Sequence, residues 1–471
     1  MDAMTTTEPR MGAFSAVMWD VEGDPILRSP ITLVCMLDTV PDEAVIADRL
    51  ERLTRTNPKL RERAVGNPLS MVEPRWEVDP NFDMSYHIRW ERPEKSGGGL
   101  AQVLEIAERI TEADFDRSRP LWEMHVVTGL RGKQAAFIMK IHHSITDGEG
   151  GLMMAIGLFD LQRETNADLG PMPNAPTGEV LDEVGRLKQA SKIEAKVIVS
   201  DFTGVAKGGV GLVKQAVTDP MASAVSAQEW AASAARLTAP ASVPLSGLWT
   251  KRSLSLEFSV VEVALADLKA ASKAVGGTLN DAFMAAVIGG LMAYHEAHGS
   301  HPDALRVNMP ISMRGGGEGG AGGNKWVPAR FPMPTNVKDP AARMRQLHPI
   351  LLQARNEPAL PLSAVVYRVL STMPTPIATR IAGGLMKGTD FAATNVPGPP
   401  IPLFFAGSKL LSMVPFAPKG GAAVNVALMS YDGKIFLGIN IDRGAVEDPG
   451  ELTDAIATSL QEVLAVGRKS S

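Results

Sequence analysis

The stretch Lys140-Ile141-His142-His143-Ser144-Ile145-Thr146-Asp147-Gly148 separates two kinds of pattern. Residues 135–141 are almost all apolar, which is typical of a buried strand. After the stretch, Leu152, Ile156 and Phe159 recur at helical spacing, so a helix is predicted. Two imidazoles therefore lie where a strand passes into a helix, a usual position for chemistry on a rigid scaffold.

A histidine in this position can act as a general base, because its ordinary pKa of about 6.5 lets it accept a proton near neutral pH. Such a base needs a fixed tautomer and a fixed ring direction. The aspartate that follows, Asp147, either supplies these directly or braces the loop through an arginine. The two histidines, the aspartate and the glycine are therefore the candidate catalytic residues.

The string His-His-x-x-x-Asp-Gly resembles the signature of coenzyme A-dependent acyltransferases. That superfamily includes chloramphenicol acetyltransferase, the condensation domains of peptide synthetases, and the bacterial wax ester synthase/diacylglycerol acyltransferases. Other segments are similar to the last of these: Pro120-Leu121-Trp122, Asn280-Asp281 and Asn395-Val396-Pro397-Gly398-Pro399. The chain departs from the family at Ser15, where an aspartate is usual.

The resemblance implies an α/β fold of two chloramphenicol acetyltransferase-like subdomains, each a mixed sheet with helices, with the active site in a tunnel between them. We expect an N-terminal subdomain at 1–165 that carries the motif, and a C-terminal subdomain at 249–471. Residues 166–248 are read as a linker and helical connector, because prolines at 171, 173 and 176 precede an alanine-rich tract.

The resemblance also implies a reaction, the transfer of a long-chain acyl group from acyl-CoA to diacylglycerol or a long-chain alcohol. His143 is expected to remove the hydroxyl proton and later pass it to the coenzyme A sulfur. His142 would support it, Asp147 would hold the loop, and Gly148 would allow a tight turn. Acyl-CoA is consumed as a co-substrate, and neither a cofactor nor a metal is expected.

Further residues are candidates for the substrate channel or its support. The Pro-x-Leu-Arg segment at 58–61 resembles the superfamily segment whose arginine pairs with the motif aspartate, so Arg61 is nominated as the partner of Asp147, with Arg63 as second choice. A solvated basic helix end is an equally good interpretation of this segment. Asp281 reads equally as the second half of a capping box begun by Thr278 and as part of the family's channel. The oxyanion donor stays open between Asn280 and a backbone N–H.

The Asn-Val-Pro-Gly-Pro segment supplies three more candidates, Asn395, Pro397 and Gly398. Its prolines and glycine impose a rigid, non-helical turn. A structural role is therefore expected for the turn, together with a place along the channel.

The amino-acid composition limits the kinds of molecule that the protein is expected to bind. The 471 residues carry a net charge of −5 without a dense Lys/Arg run, which argues against nucleic acid. The single cysteine, Cys35, lies in an apolar run and is interpreted as a buried strand residue. No secretory core or run of about 18 apolar residues is present. We expect a cytoplasmic protein, peripheral on the inner membrane or lipid inclusions, with residues 179–239 as the candidate contact.

Other chemistries lose support. The chain has no G-x-S-x-G, H-E-x-x-H or P-loop motif. Residues 315–323 contain formal G-x-G-x-x-G matches, but in a low-complexity tract that is better read as a loop near the site. Two alternatives remain: a related transferase for a smaller alcohol or amine, and a non-catalytic lipid-binding paralogue, against which the intact motif argues.

Overall fold

A computed structural model describes residues 10–66, 73–165, 169–178, 180–182, 184–186, 188, 243–312, 326–357, 360–371 and 373–468. Most of the connector expected at 166–248 lies outside these ranges. The helices expected at 179–239 for membrane contact and the loop at 315–323 also lie outside the described residues, apart from a few positions between 180 and 188.

The first part of the chain forms the elements that carry the histidine motif. In order they are α1 Ala13–Asp20, β1 Pro30–Leu37, α2 Glu43–Thr56, β2 Glu62–Val65, β3 Arg75–Val78, α3 Met84–His87, β4 Ile88–Glu91, α4 Leu100–Glu112, β5 Trp122–Val127, β6 Ala135–His142, α5 Gly148–Ala155 and β7 Phe159–Asp160. Short 3-10 turns at Val21–Gly23, Pro25–Leu27, Pro58–Leu60 and Ile156–Leu158 join them. The apolar run at 135–141 is a strand and a helix follows it, as predicted. The helix is shorter than predicted, because it ends at Ala155, with Ile156 in a 3-10 turn and Phe159 in β7.

The second part contributes the remaining elements. They are β8 Leu256–Ala264, α6 Leu265–Ala274, α7 Leu279–Ala297, β9 Ala304–Ser312, β10 Trp326–Pro334, α8 Pro340–Arg355, α9 Leu360–Ser371, α10 Thr375–Met386, β11 Phe391–Val396, β12 Phe404–Phe405, β13 Ser408–Phe416, β14 Val424–Tyr431, β15 Lys434–Asp442 and α11 Pro449–Arg468. Thr278 caps α7: its hydroxyl accepts the Asp281 N–H, and the Asp281 carboxylate accepts the Thr278 N–H in return. The expected capping box is confirmed.

Two mixed sheets organise the molecule. The first has the strand order β4-β5-β6-β1-β13-β12-β7, and the second has the order β10-β9-β11-β14-β15-β8. Both contain parallel and antiparallel pairs. The predicted mixed α/β class is therefore confirmed. Strands β12 and β13 come from the second part of the chain but lie in the first sheet, so the two parts are interleaved.

Each sheet has its own hydrophobic core. The first core gathers large side chains such as Trp122, Phe137 and Phe405, and it also contains Cys35, which is fully buried on β1 as expected. In the second core α7 packs so closely on α11 that a Cβ at Gly290 would lie 2.4 Å from the Cα of Ile456. A third, smaller cluster packs α1 against α9 and α10.

Two carboxylates join the halves along the edge of the second sheet. Glu108 and Glu112 on α4 accept the N–H groups of Phe258 and Leu256 on β8, each at 2.8 Å. These bonds satisfy donors that an edge strand would otherwise leave unpaired. In the described ranges no helix is by itself long and apolar enough to cross a membrane, and α6 and α7 meet that test only together, as a pair bent by 95°.

Candidate active site

The histidine pair lies in a short turn between β6 and α5. The His142 N–H donates to the Leu121 carbonyl and the His143 N–H donates to the Ser29 carbonyl, both at 3.0 Å. The Ile145 N–H then bonds back to the His142 carbonyl at 3.0 Å, which closes a tight turn over residues 143–145. Both histidine backbones are therefore held by neighbouring segments as well as by the turn itself.

Asp147 ends this turn and caps the following helix. Its Oδ1 accepts the Gly150 N–H at 2.7 Å, and its carbonyl accepts the Gly151 N–H at 2.7 Å. An aspartate in this position satisfies donors that the first helical turn cannot pair internally. Gly148 is the first residue of α5. The tight turn that the sequence assigned to Gly148 thus lies earlier, at residues 143–145.

The side chain of His143 borders a cavity of about 350 Å³. It is half-buried, and its ring lies edge-on to Phe14 with 6.4 Å between the ring centroids. Asp147, 6% exposed, borders the same cavity. Of the two histidines, His143 is therefore the one placed to meet a substrate.

His142 is turned away from the cavity and is 1% exposed. Its Nδ1 accepts the Ser144 N–H at 3.0 Å, so the proton of the neutral ring belongs on Nε2. Nε2 lies 2.8 Å from Oε1 of Glu22. The ring is thus fixed in one tautomer between the turn and a carboxylate, which agrees with a supporting role.

Glu22 is a residue that the sequence did not identify. In the 3-10 turn at Val21–Gly23, its Oε1 also accepts the Ser29 N–H at 2.7 Å, and its Oε2 accepts a bond from Arg117 at 3.0 Å. Burial by itself would raise the pKa of Glu22, but His142, the Ser29 amide and Arg117 lower it to about 2. No motif spacing relates a 3-10 turn to a histidine so much further along the chain, so only the fold reveals this contact.

Both halves of the molecule line the cavity, and most of the lining is apolar. The aliphatic and thioether side chains include Leu50, Leu53, Leu60, Met139, Leu152, Met154 and Leu158 from the first half, and Val366, Leu370, Ala382, Met386, Val396 and Met429 from the second. Flexible methionines on both sides suit apolar ligands of variable shape.

Few polar groups face this space. Among them is Tyr367, whose pKa is raised to about 12 by desolvation, so that the phenol stays protonated. Arg330 is also on the wall, and burial lowers its pKa. Polar groups are therefore sparse enough to orient a ligand in an otherwise apolar space.

The structure brings two of the expected channel segments together. The Nδ2 of Asn395, at the end of β11, donates to the Oδ1 of Asn280 at the start of α7, at 2.7 Å. Asn395 lines the cavity. Asp281 is instead engaged in the cap of α7 and in a 2.8 Å contact with His348 Nδ1. Asp281 therefore stabilises the start of α7.

The Pro397-Gly398 turn also has a structural reason. A Cβ on Gly398 would lie 2.0 Å from the Ser430 carbonyl oxygen, and the Gly398 N–H donates to the Ser430 hydroxyl at 3.1 Å. Only glycine allows this approach of two backbones. Pro397 is exposed on the same turn.

The expected pairing of Arg61 with Asp147 is wrong. The Arg61 guanidinium lies 2.6 Å from Glu51, donates to the Thr54 hydroxyl at 3.0 Å, and stacks on the ring of Phe82. The turn at Pro58–Leu60 folds Arg61 back over the end of α2, where these partners are closest. Arg63, the second choice, lies 3.9 Å from Glu77. Arg61 therefore supports α2 rather than the histidine loop.

Comparison with known proteins identifies the family of this chain. Residues 35–283 match the model of the wax ester synthase/diacylglycerol acyltransferase catalytic domain, and residues 322–463 match that of the WS/DGAT C-terminal domain. A Mycobacterium tuberculosis H37Rv protein, provisionally named a diacylglycerol O-acyltransferase, is 32% identical over 457 residues, 97% of this chain and 92% of that one. A second protein of that strain, provisionally named for the same activity, is 28% identical over 90% of this chain and 88% of its own length.

Solved structures share the fold. The wax ester synthase/diacylglycerol acyltransferase of Marinobacter aquaeolei VT8 has a TM-score of 0.61 at 20% identity, covering 97% of this chain and 100% of that one. A starter condensation domain of rhizomide synthetase, solved with C8-CoA and Leu-SNAC, has a TM-score of 0.57 at 14% identity, covering 99% and 96%. With its two matched domains and its histidine turn on a shared cavity, the chain belongs to the wax ester synthase/diacylglycerol acyltransferase family and is an acyltransferase.

Proposed function

We propose that this protein transfers a long-chain acyl group from acyl-CoA to diacylglycerol or a long-chain alcohol, giving triacylglycerol or wax ester, with His143 as the general base. The observation that carries the proposal is the placement of the two histidines. His142 is buried against Glu22, whereas His143 borders an apolar cavity that both halves of the molecule enclose.

The chemistry needs one proton carrier. The acceptor hydroxyl oxygen attacks the thioester carbonyl while His143 takes the hydroxyl proton. The resulting tetrahedral intermediate then expels the thiolate, which receives the same proton from His143. Because a thiol has a pKa of about 8.5, the thiolate is a good leaving group, and neither a covalent acyl-enzyme nor a cofactor is needed.

The character of the wall supports long-chain substrates. Burial of alkyl chains contributes about 0.8 kcal/mol per methylene group, and the lining offers mainly aliphatic and methionine side chains for it. A small polar acceptor would leave much of this surface uncovered. A long-chain alcohol or diacylglycerol is therefore the acceptor class that the cavity favours.

A lipid acceptor arrives from a lipid surface, and α10 has the faces needed to meet one. Its inner face places Ala382 and Met386 on the cavity wall, while Ile377 and Ile381 are 52% and 41% exposed on its outer face with Arg380 beside them. Apolar side chains flanked by a cation suit the boundary of an anionic lipid layer. We assign this helix as the part of the described chain that approaches the lipid.

The test is a transfer assay with palmitoyl-CoA and a panel of acceptors: diacylglycerol, hexadecanol, and short alcohols and amines. We expect products from the long-chain acceptors and a loss of about 10²- to 10⁴-fold in kcat for His143→Ala. His301→Ala, which removes an exposed histidine, serves as the matched control. Turnover of His143→Ala within a few-fold of wild type would exclude His143 as the base.

A further inference from the structure

A row of side chains crosses the second sheet on the face that borders the cavity. Strand register places Arg330 opposite Asn308, Asn308 opposite Ala392, Ala392 opposite Asn425, and Asn425 opposite Asn440. Residues directly paired across strands share a face of the sheet. The first four of these residues line the cavity.

Asn425 is the most informative member of the row. It is 5% exposed, and its Nδ2 donates to the Pro418 carbonyl at 2.7 Å. This bond fixes which end of the amide is nitrogen, and it leaves Oδ1 as the acceptor at the cavity wall. Within the described part of the chain, no donor bonds to this oxygen. Buried acceptors in native proteins are nearly always paired. Among the described residues Asn440 Oδ1 is unpaired as well, but it lies away from the cavity, so the position of Asn425 Oδ1 on the cavity wall is what points to a ligand donor.

Asn308 repeats the feature two strands away. Its buried Oδ1 also receives no hydrogen bond from the described residues. Two strand spacings, about 10 Å, separate it from Asn425, and the small methyl group of Ala392 lies between them. The row therefore offers two acceptors on either side of a shallow depression that an extended chain can occupy.

The substrates of the proposed reaction differ in the donors that they carry. The acceptor, a diacylglycerol or a long-chain alcohol, has a single free hydroxyl group, which must reach His143, and the alkyl chains have no donor. The pantetheine arm of acyl-CoA carries two amide N–H groups. We propose that the cavity face formed by Asn308, Ala392 and Asn425, which we call the amide row, binds these amides and so guides the thioester toward His143. This assignment rests on acyl-CoA being the donor.

Asn440 provides a matched control. It lies directly opposite Asn425, is 2% exposed, and its Nδ2 donates to the Ala417 carbonyl at 3.0 Å. Unlike Asn425, it is not among the residues on the cavity wall. A leucine at either position removes a hydrogen bond from the side-chain amide to a backbone carbonyl, but only Asn425→Leu also removes an acceptor from the cavity wall.

The experiment compares Asn425→Leu, Asn308→Ala and Asn440→Leu with three donors of decreasing amide content. These are octanoyl-CoA, the octanoyl thioester of N-acetylcysteamine, and S-octanoyl ethanethiol, which has no amide. We expect Asn425→Leu to lower kcat/KM for octanoyl-CoA about 10- to 100-fold, mainly through KM, and to change the value for S-octanoyl ethanethiol less than threefold. Asn440→Leu should affect all three donors equally.

The amide row would be refuted if both Asn425→Leu and Asn308→Ala lowered kcat/KM equally for all three donors, or if neither variant lowered it for any donor. Asn308→Ala, at a less buried position, keeps the test decisive if Asn425→Leu does not fold. Calorimetric titration with coenzyme A separates this inference from the proposed reaction. If the wild type transfers no acyl group but the variants bind coenzyme A more weakly than it does, the amide row is supported and the proposed reaction is refuted. If the wild type is active but the variants bind coenzyme A as tightly as it does, the reaction is supported and the amide row is refuted.

Discussion

At the scale of single residues, Glu22 connects the two histidines of the motif. Its carboxylate contacts the His142 ring, and through the Ser29 N–H it holds the residue whose carbonyl accepts the His143 N–H. One side chain therefore fixes the ring of one histidine and the backbone of the other. Removing its charge should loosen the turn, although Glu22 itself does not line the cavity.

Replacing Glu22 with glutamine is expected to make stability less dependent on acid pH. The folded-state pKa of about 2 lies below the ordinary 4.5, so the stabilisation is present above 4.5 and is lost as pH falls through 2. This lowering corresponds to roughly 3 kcal/mol at pH 7, falling by about half by pH 3. Urea unfolding of wild type and Glu22→Gln at several pH values measures it.

Glu94→Gln, an exposed position, is the control for that series and should differ little from wild type at any pH. A difference in unfolding free energy between wild type and Glu22→Gln that stays constant from pH 7 to pH 3 would show that the carboxylate charge does not stabilise the turn.

The capping box of α7 is a contact that, unlike the one between Glu22 and His142, could be predicted from the sequence. Thr278 and Asp281 lie three residues apart, so the contact could be predicted from local spacing.

At the scale of elements, α10 separates the cavity from solvent. Its length and apolar residues could be read from the sequence, but not which residues face inward. Packing against α1 and α9 decides that Ala382 is buried and Ile381 exposed, although the two are neighbours in the chain. The same packing gives the helix two apolar faces, one for substrate and one for the surroundings.

The double variant Ile377→Ser/Ile381→Ser should bind vesicles of anionic phosphatidylglycerol about tenfold more weakly than wild type, because each isoleucine loses apolar area to bury in the interface. Vesicle flotation measures the bound fraction. Val40→Ser/Leu254→Ser removes side chains that are 51% and 50% exposed elsewhere and should bind as wild type does. Equal binding by both doubles would refute the assignment of α10.

At the scale of the whole molecule, both halves of the chain contribute strands to the first sheet. Strand β13 pairs with β1 from Thr32 to Leu37, so the centre of the first sheet depends on residues 408–416. The domain boundaries expected from the sequence, 1–165 and 249–471, divide the chain at its connector. They do not show that one sheet is built from both sides of that division.

Residues 1–165 expressed alone should therefore fail to unfold cooperatively, because β1 would expose an unpaired apolar edge. Co-expression with residues 166–471 should restore a cooperative transition. Thermal unfolding followed by near-UV circular dichroism distinguishes the two states. A cooperative transition of the isolated first part, at the melting temperature of the whole protein, would contradict a shared sheet.

The sequence by itself determined the features that depend on near neighbours. These are the strand-to-helix passage at the histidines, the cap at Thr278, the burial of Cys35 and the mixed α/β class. Apolar periodicity and helix capping depend on residues a few positions apart, so they can be recognised in the amino-acid sequence. Only the tertiary structure decided that Glu22 holds His142, that Arg61 binds Glu51, and that Asn308 and Asn425 share a row. These contacts join residues from separate elements, and strand register and helix packing, which no local pattern specifies, bring them together.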